Sequence, residues 1–364
     1  MSAFVNTNHY KYKEDSNKKD KPRVVLLLDL DCFYAQCETV RLNLPQSLPV
    51  CLLQWNSALA VNYPAREYGI KRGDGFEEIQ KKGKGKVIAL HLPVLPIEET
   101  DTDANLDQRV EDDAHLQQKE EPTSLDELYD QEFRLPPKEQ ALIYEKEKNV
   151  MRRPEEGKAS LDRYRLASNR IFSVILECLQ ELTVDKKGEG TNKNANGKNY
   201  ILEKASIDEL FVDVTDYCYH SICNTDDLDR IKGLQATKET TLVVHPNTKY
   251  SPSFRSWDQK FEDDDDDDES TKHEAALWQG CYVAEYIRKN VFKRLGFTLS
   301  AGISMNKLMA KLGAGYGKPN GQAIILESSI AKVMEETKIR KVRNLGGKLG
   351  KLVSERKGRY TDCP

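Results

Sequence analysis

Apolar residues run unbroken from Val24 to Leu28 and stop at Asp29; a second apolar, β-branched stretch follows directly on Asp208 and Glu209. Short runs of this kind predict buried strands, the first over Arg23 to Leu28 and the second in KASIDELFVDV. Val50 to Trp55, Ala58 to Val61, Val87 to Leu92, Thr298 to Ile303 and Gln322 to Leu326 read as further strands. Cys32 to Val40, Asn306 to Ala314 and Pro64 to Tyr68, the last with proline in its first turn, read as helices. Leu166, Ile171, Val174, Ile175 and Leu179 form a helical stripe over Leu161 to Leu182, and Ala275 to Leu295 is amphipathic. Strands interleaved with helices predict an α/β or α+β core.

The intervening segments are polar. Residues 1–20 are expected to be disordered. Residues 96–157 are acidic and read as an insertion, with local helix around Lys138 to Met151. Residues 185–199, rich in Gly, Asn and Lys, read as a flexible loop. Asp213 to Lys272 holds the acidic run Glu262 to Glu269 and reads as a second solvated insertion, with its flexible part at about 240–272.

Charge changes the picture once it is localised. The formal net charge of −4 argues by itself against a polyanion partner. From Ser300 onward, however, 13 Lys and Arg stand against 5 Asp and Glu, which places any such contact surface towards the C-terminus. The eight cysteines form no CxxC pair, and Cys218, His220 and Cys223 lack a second pair at zinc spacing. Buried or incidental thiols in a reducing compartment are the expectation. No apolar stretch reaches the length of a membrane span, and the N-terminus is polar and lysine-rich rather than signal-like, so the expectation is a soluble intracellular protein with no membrane partner.

Carboxylates are seldom buried unless paired or bound to a cation. Asp29, Asp208 and Glu209 on two apolar strands therefore point to a shared cation, and an all-oxygen set suits Mg²⁺; the plainer alternative is that each acid merely ends a strand. Two Mg²⁺ ions with a backbone carbonyl such as that of Leu30 would serve phosphoryl or nucleotidyl transfer. Adjacent strand residues face opposite sides, so Asp208 and Glu209 both reach one site only if the backbone bends at the strand entry. Asp31 is either a further ligand or structural. Donors for phosphate come from Tyr63, Arg66 and Arg72 in VNYPAREYGIKRGD, where a helix sets Tyr63 and Arg66 one turn apart. A second set, Lys307, Lys311 and Lys318, lies in ISMNKLMAKLGAGYGKPNG, which is no Walker loop. Each lysine also reads as a solvated helix charge; Lys318, between Gly317 and Pro319, is the best donor of the three. Of Phe33 and Tyr34, one ring is a candidate to face the sugar of a bound nucleotide.

DLDCFYAQCE, YPAREYGIKR, KASIDELFVDV, SAGISMNKLMAKLGAGYGKPN and IRKVRNLGGKLG occur in that order between about Arg23 and Leu352. Together they resemble the Y-family translesion DNA polymerases, and Leu53 to Ser57 with LGGKLG resembles the eta branch. The resemblance implies an α+β polymerase palm with a mixed or antiparallel sheet (21–53 and 158–325), small fingers (54–95) and a partial helical thumb (326–364). It implies that Asp29, Asp208, Glu209 and the Leu30 carbonyl bind two Mg²⁺, with Mn²⁺ as a substitute. By the same likeness Phe33, Tyr34, Tyr63, Arg66, Arg72 and Lys318 contact the nucleotide, Tyr34 by excluding a 2′-hydroxyl, and Gln54 contacts the template base. The implied partners are primer–template DNA and a dNTP, with a sliding clamp bound through regions this sequence does not contain, and the implied location is the nucleus.

The sequence departs from the family pattern at its end. After LGGKLGKLVSERKGRY the thumb has barely begun and no little-finger domain follows, so a truncated chain that binds nucleotide and DNA weakly is the rival expectation. A two-metal nuclease or cyclase does not account for the Tyr34 and Gln54 segments.

Overall fold

The first apolar run forms β1 (Val25–Leu30), an inner strand buried on both faces. The computed structural model describes residues 21–96, 124–183, 200–223, 237, 240–244 and 269–357. After β1, Cys32 adopts a left-handed conformation (φ 41°) and α1 (Phe33–Arg41) begins at once. β2 (Val50–Gln54) and β3 (Ser57–Val61) make a hairpin, followed by α2 (Tyr63–Glu67), α3 (Phe76–Gly83) and β4 (Ile88–His91). Asn62 caps α2 through its side-chain oxygen, which accepts from the Ala65 N–H, and Pro64 sits in the first turn as expected.

Next come β5 (Val94–Leu95), α4 (Leu125–Phe133), α5 (Pro137–Glu147), β6 (Lys158–Ala159) and the long α6 (Asp162–Thr183). β7 (Ile201–Lys204) and β8 (Glu209–Asp213) pair antiparallel and lead to α7 (Thr215–Cys223) and β9 (Thr241–Val243). The chain continues through α8 (Glu269–Leu295), β10 (Leu299–Ser304), α9 (Lys307–Gly317), β11 (Gln322–Ile324), α10 (Ile330–Glu336) and α11 (Lys348–Lys357).

The main sheet has the order β7-β8-β1-β10-β11-β9. β8 and β10 flank β1 antiparallel, whereas β11 and β9 run parallel to β10. The sheet is thus mixed and the fold α+β. The two-residue period of β1 sorts its side chains by face. Leu26, Leu28 and Leu30 join the large core with α6 and α8; Val25 and Leu27 meet Phe211, Ala310 and Ala314 beneath α9. α9 lies unusually close to the sheet at Gly302, where a Cβ would stand 1.9 Å from the Ala310 carbonyl oxygen and 2.2 Å from the Ala314 nitrogen. A smaller sheet, β3-β2-β4, wraps its own core of Cys51, Leu53, Ile70 and Ile79 with α2 and α3.

Three sequence expectations are corrected. The second half of the acidic segment is part of the body: Tyr129 and Phe133 of α4 are buried in the large core, stacked with ring centroids 4.6 Å apart. Their acidic neighbours face outward, which masks the apolar pair in the composition. Asp213 to Lys272 is not a single solvated insertion, because α7 buries Cys218 and packs against α8. Thr241–Val243, expected in a flexible loop, form the edge strand β9. The expectations for residues 1–20 and 185–199, and for the acidic run over residues 262–268, lie outside the described residues.

Among the described residues the cysteines form no disulfide, and no helix is long and apolar enough to cross a membrane.

Candidate active site

The strand register brings the two acidic strings together. Asp29 of β1 is opposite Glu209 of β8 and opposite Ser300 of β10. Having the parity of Val25 and Leu27, Asp29 and its partner Glu209 lie on the face covered by α9. The Leu30 N–H donates to the Asp208 carbonyl at 2.9 Å, and residues 206–208 bend just before β8 begins. This bend lets consecutive acids serve one region. The Ser206 hydroxyl donates to Asp208 Oδ1 at 2.5 Å and fixes that side chain.

α9 and Lys318, the residue that follows it, supply the counter-charge. Lys318 Nζ is 2.5 Å from Asp29 Oδ1, and Lys311 Nζ is 2.6 and 2.7 Å from the two Glu209 carboxylate oxygens. Lys307 pairs instead with Glu203 on β7. Burial pushes the Asp29 carboxyl up to about 6; the Lys318 ammonium opposes this, while Glu209 and Asp208 add to it. Such a cluster of half-buried like charges favours a bound cation.

Asp31 is structural. It is buried, its Oδ1 accepts from the Ser300 hydroxyl at 2.7 Å, and its Oδ2 accepts from the Asn320 N–H at 2.8 Å. Arg288 holds the same turn, donating to the Asn320 carbonyl and side-chain oxygens and, from Nε, to the Leu299 carbonyl at 3.0 Å. The turn that follows Lys318 is therefore clamped from two sides. Neither clamp is visible in a motif, because Asp31 and Arg288 lie 289 and 32 residues from Asn320 in the chain.

The aromatic pair divides its tasks. Phe33 is buried in the core, so its ring is not the one open to a ligand; Tyr34 is half-buried. Burial raises the Tyr34 hydroxyl and Asp208 raises it further, while Arg72 and, more weakly, Arg165 lower it. Tyr63 feels burial first and then Asp31, Arg66, Cys32 and Asp29, all of which lie on or beside the turn after β1 apart from Arg66 of its own helix. The Arg66 guanidinium lies 4.4 Å from the Tyr63 ring centroid and donates from Nε to the Val61 carbonyl at 3.0 Å. Gln54 is exposed at the end of β2, at the turn where Trp55 has φ 55° and donates its N–H to His91 Nε2 at 2.7 Å.

Among the described residues no three His, Cys, Asp or Glu side chains are grouped closely enough to hold a metal ion. Asp29 and Glu209 are each engaged by a lysine and Asp208 by a serine. The donor chemistry nevertheless fits a hard cation: three carboxylates and the backbone oxygens of one strand end, with no sulfur or imidazole.

A family model described as impB/mucB/samB matches residues 28–187 and 193–315. The chain belongs to the impB/mucB/samB family. The match takes in Asp29, Tyr34, Tyr63, Arg66, Arg72, Asp208, Glu209 and Lys311 and ends just before Lys318. Among curated relatives, N-acetyltransferase eso1 of Schizosaccharomyces pombe is 26% identical over 93% of this chain and 32% of its own length. DNA polymerase eta of Arabidopsis thaliana is 25% identical over 90% of this chain and 37% of its own, and DNA polymerase eta of Saccharomyces cerevisiae 25% over 89% and 45%. The Y-family resemblance carried by the motifs, with its leaning to the eta branch, is borne out. The impB/mucB/samB chain spans about a third to under a half of the length of these relatives. A solved structure, the insertion ternary complex of Dbh DNA polymerase, aligns over 91% of this chain and 57% of that one at 17% identity and a TM-score of 0.46.

Proposed function

We propose that this chain carries the catalytic region of a translesion DNA polymerase, joining a dNTP to a primer 3′-hydroxyl opposite damaged template and releasing pyrophosphate. The observation that carries the reading is the meeting of Asp29, Asp208 and Glu209 at one end of β1 and β8, beside Lys318 and Tyr34. In this reading the six-stranded sheet is the palm, the small sheet with α2 and α3 the fingers, and residues from 326 the start of the thumb.

Asp29, Asp208, Glu209 and the Leu30 carbonyl would hold two Mg²⁺, or Mn²⁺ in their place; when bound, these ions supply the positive charge that activates the attacking hydroxyl and offsets the phosphates. Lys318 and Lys311, which engage Asp29 and Glu209 in the ion-free chain, would give way to that charge. Lys318 then turns to the triphosphate, joined by Tyr63 and the Arg66 fork, while Arg72 lies over the incoming nucleotide. The Tyr34 ring fills the space a 2′-hydroxyl would need, and Gln54 touches the template base. Exposed Arg340, Lys341, Arg343, Lys348 and Lys351 suit contacts to DNA phosphates. A nuclear location and a sliding-clamp partner belong to the same proposal.

Primer extension by the full chain, with Asp208→Ala/Glu209→Ala as control, tests the reading. Mg²⁺-dependent extension that disappears in the control supports it. Extension that persists in the control removes the carboxylate assignment. Tight dNTP binding without extension favours the rival reading, a chain that only binds.

A further inference from the structure

β2 and β4 run parallel in the small sheet, with Leu53 opposite His91. Along this pair the Ile88 N–H donates to the Pro49 carbonyl and the Leu92 N–H to the Leu53 carbonyl, each at 2.9 Å. The alternation of a parallel ladder would next pair the Trp55 N–H with the Leu92 carbonyl. Instead β2 ends at Gln54, Trp55 turns away with φ 55°, and the His91 ring stands between the two groups. The Trp55 N–H donates to Nε2 at 2.7 Å, and Nδ1 lies 2.8 Å from the Leu92 carbonyl oxygen.

A backbone N–H only donates and a carbonyl only accepts, so the ring carries its proton on Nδ1 and is neutral. Burial foremost, and the Arg152 guanidinium, lower the ring from the usual histidine range against the Leu92 carbonyl and Glu156.

The consequence falls on Gln54. The peptide before it carries the Leu53 carbonyl and the peptide after it the Trp55 N–H, and these are tied to Leu92 and His91, which are consecutive. Both backbone dihedrals of Gln54 are thereby held, while its side chain is exposed. The far side of the turn is anchored as well, since Asn56 Oδ1 accepts from the Phe76 N–H at 2.9 Å. Trp55 needs the support, because left-handed backbone is unfavourable for a bulky side chain. Its ring lies against the His91 ring, with centroids 5.5 Å apart.

We propose that His91 is a positioning residue for template reading: its imidazole, standing in for one bond of the β2–β4 ladder, sets the backbone of Gln54 and so the approach of the Gln54 side chain to the template base. The inference rests on the reading of Gln54 as the template-base contact.

The test is incorporation of dATP opposite a template thymine by the full chain with primer–template and Mg²⁺, read as kcat/KM, with a melting curve for each variant. Gln54→Ala, the control for the underlying reading, is expected to lose about tenfold. His91→Phe keeps a ring against Trp55 and removes both nitrogens, with an expected loss of about fivefold, the worth of one hydrogen bond. His91→Gln restores an acceptor at similar reach and should stay within about twofold of the unaltered chain. In the Gln54→Ala background His91→Phe should cost less than about twofold more, because a residue acting through Gln54 has nothing left to position. If the phenyl ring prevents folding, His91→Val, suited to a strand, takes its place in the same comparisons. A loss that adds in full to that of Gln54→Ala, a loss as large in His91→Gln, or no loss at all removes the positioning role and leaves the Gln54 reading standing. If Gln54→Ala itself leaves incorporation unchanged, both are wrong.

Discussion

Asp29 and Glu209 face each other across β1 and β8, and each is held by a lysine, Glu209 by Lys311 on α9 and Asp29 by Lys318 just past the end of that helix. One helix and the residue that ends it thus neutralise both carboxylates, and a cation entering the cluster competes with the two lysines.

Removing one competitor should show this directly. The Lys311–Glu209 pair is partly exposed, and such pairs contribute about 0.5–1 kcal/mol. Lys311→Met should therefore bind Mn²⁺ about 2- to 5-fold more tightly in the absence of nucleotide, read by titration of free Mn²⁺. Unchanged or weaker binding would mean that the lysine does not compete.

The raised Asp29 carboxyl makes a prediction about pH. With its folded value at about 6 against an ordinary 3.8, the folded chain keeps a proton that the unfolded chain has lost between roughly pH 4 and 6. Stability of the ion-free chain should fall as pH rises through that window. Asp29→Asn escapes the loss, so its advantage over the unaltered chain should grow by about 2 kcal/mol from pH 4 to pH 7. Urea denaturation in the presence of a chelator measures it, and a difference that does not vary with pH would sink the idea.

Asp31 and Asp29 should separate cleanly. Asp31→Ala leaves the Ser300 hydroxyl and the Asn320 N–H without their buried partner, at a cost of about 1–3 kcal/mol. Its Mn²⁺ affinity should stay within about twofold of the unaltered chain, whereas Asp29→Ala should lose most of that affinity. Calorimetric melting and Mn²⁺ titration of both variants decide the matter, and a large loss of affinity in Asp31→Ala would return that residue to the ligand set.

The run Val24 to Leu28 and the stripe from Leu166 to Leu179 were legible because each element carries its own periodicity. The joining of Asp29 to Glu209 was legible only as an expectation, since register depends on how two distant strands align. Lys307 and Lys311 show where local reading ends: one helical turn apart on α9, they meet Glu203 and Glu209, carboxylates on different strands. Similarly, Tyr129 and Phe133 gain their meaning from contact with the core, including Phe297 at 6.3 Å from Phe133, which no neighbouring residue announces. β9, at three residues, is too short to carry a pattern at all.

The place of β1 inside the sheet also governs how the chain comes off the ribosome. Its neighbours are β8, which ends at Asp213, and β10, which ends at Ser304, so the most apolar strand is made first and waits for partners far along the chain. At about 5–20 residues per second, the nascent chain carries an unpaired, adhesive edge for a time on the order of tens of seconds. Pairings this distant also close slowly once all the partners exist. Yield in a cell should therefore depend on holdase chaperones and on growth temperature more than the finished molecule's stability would suggest.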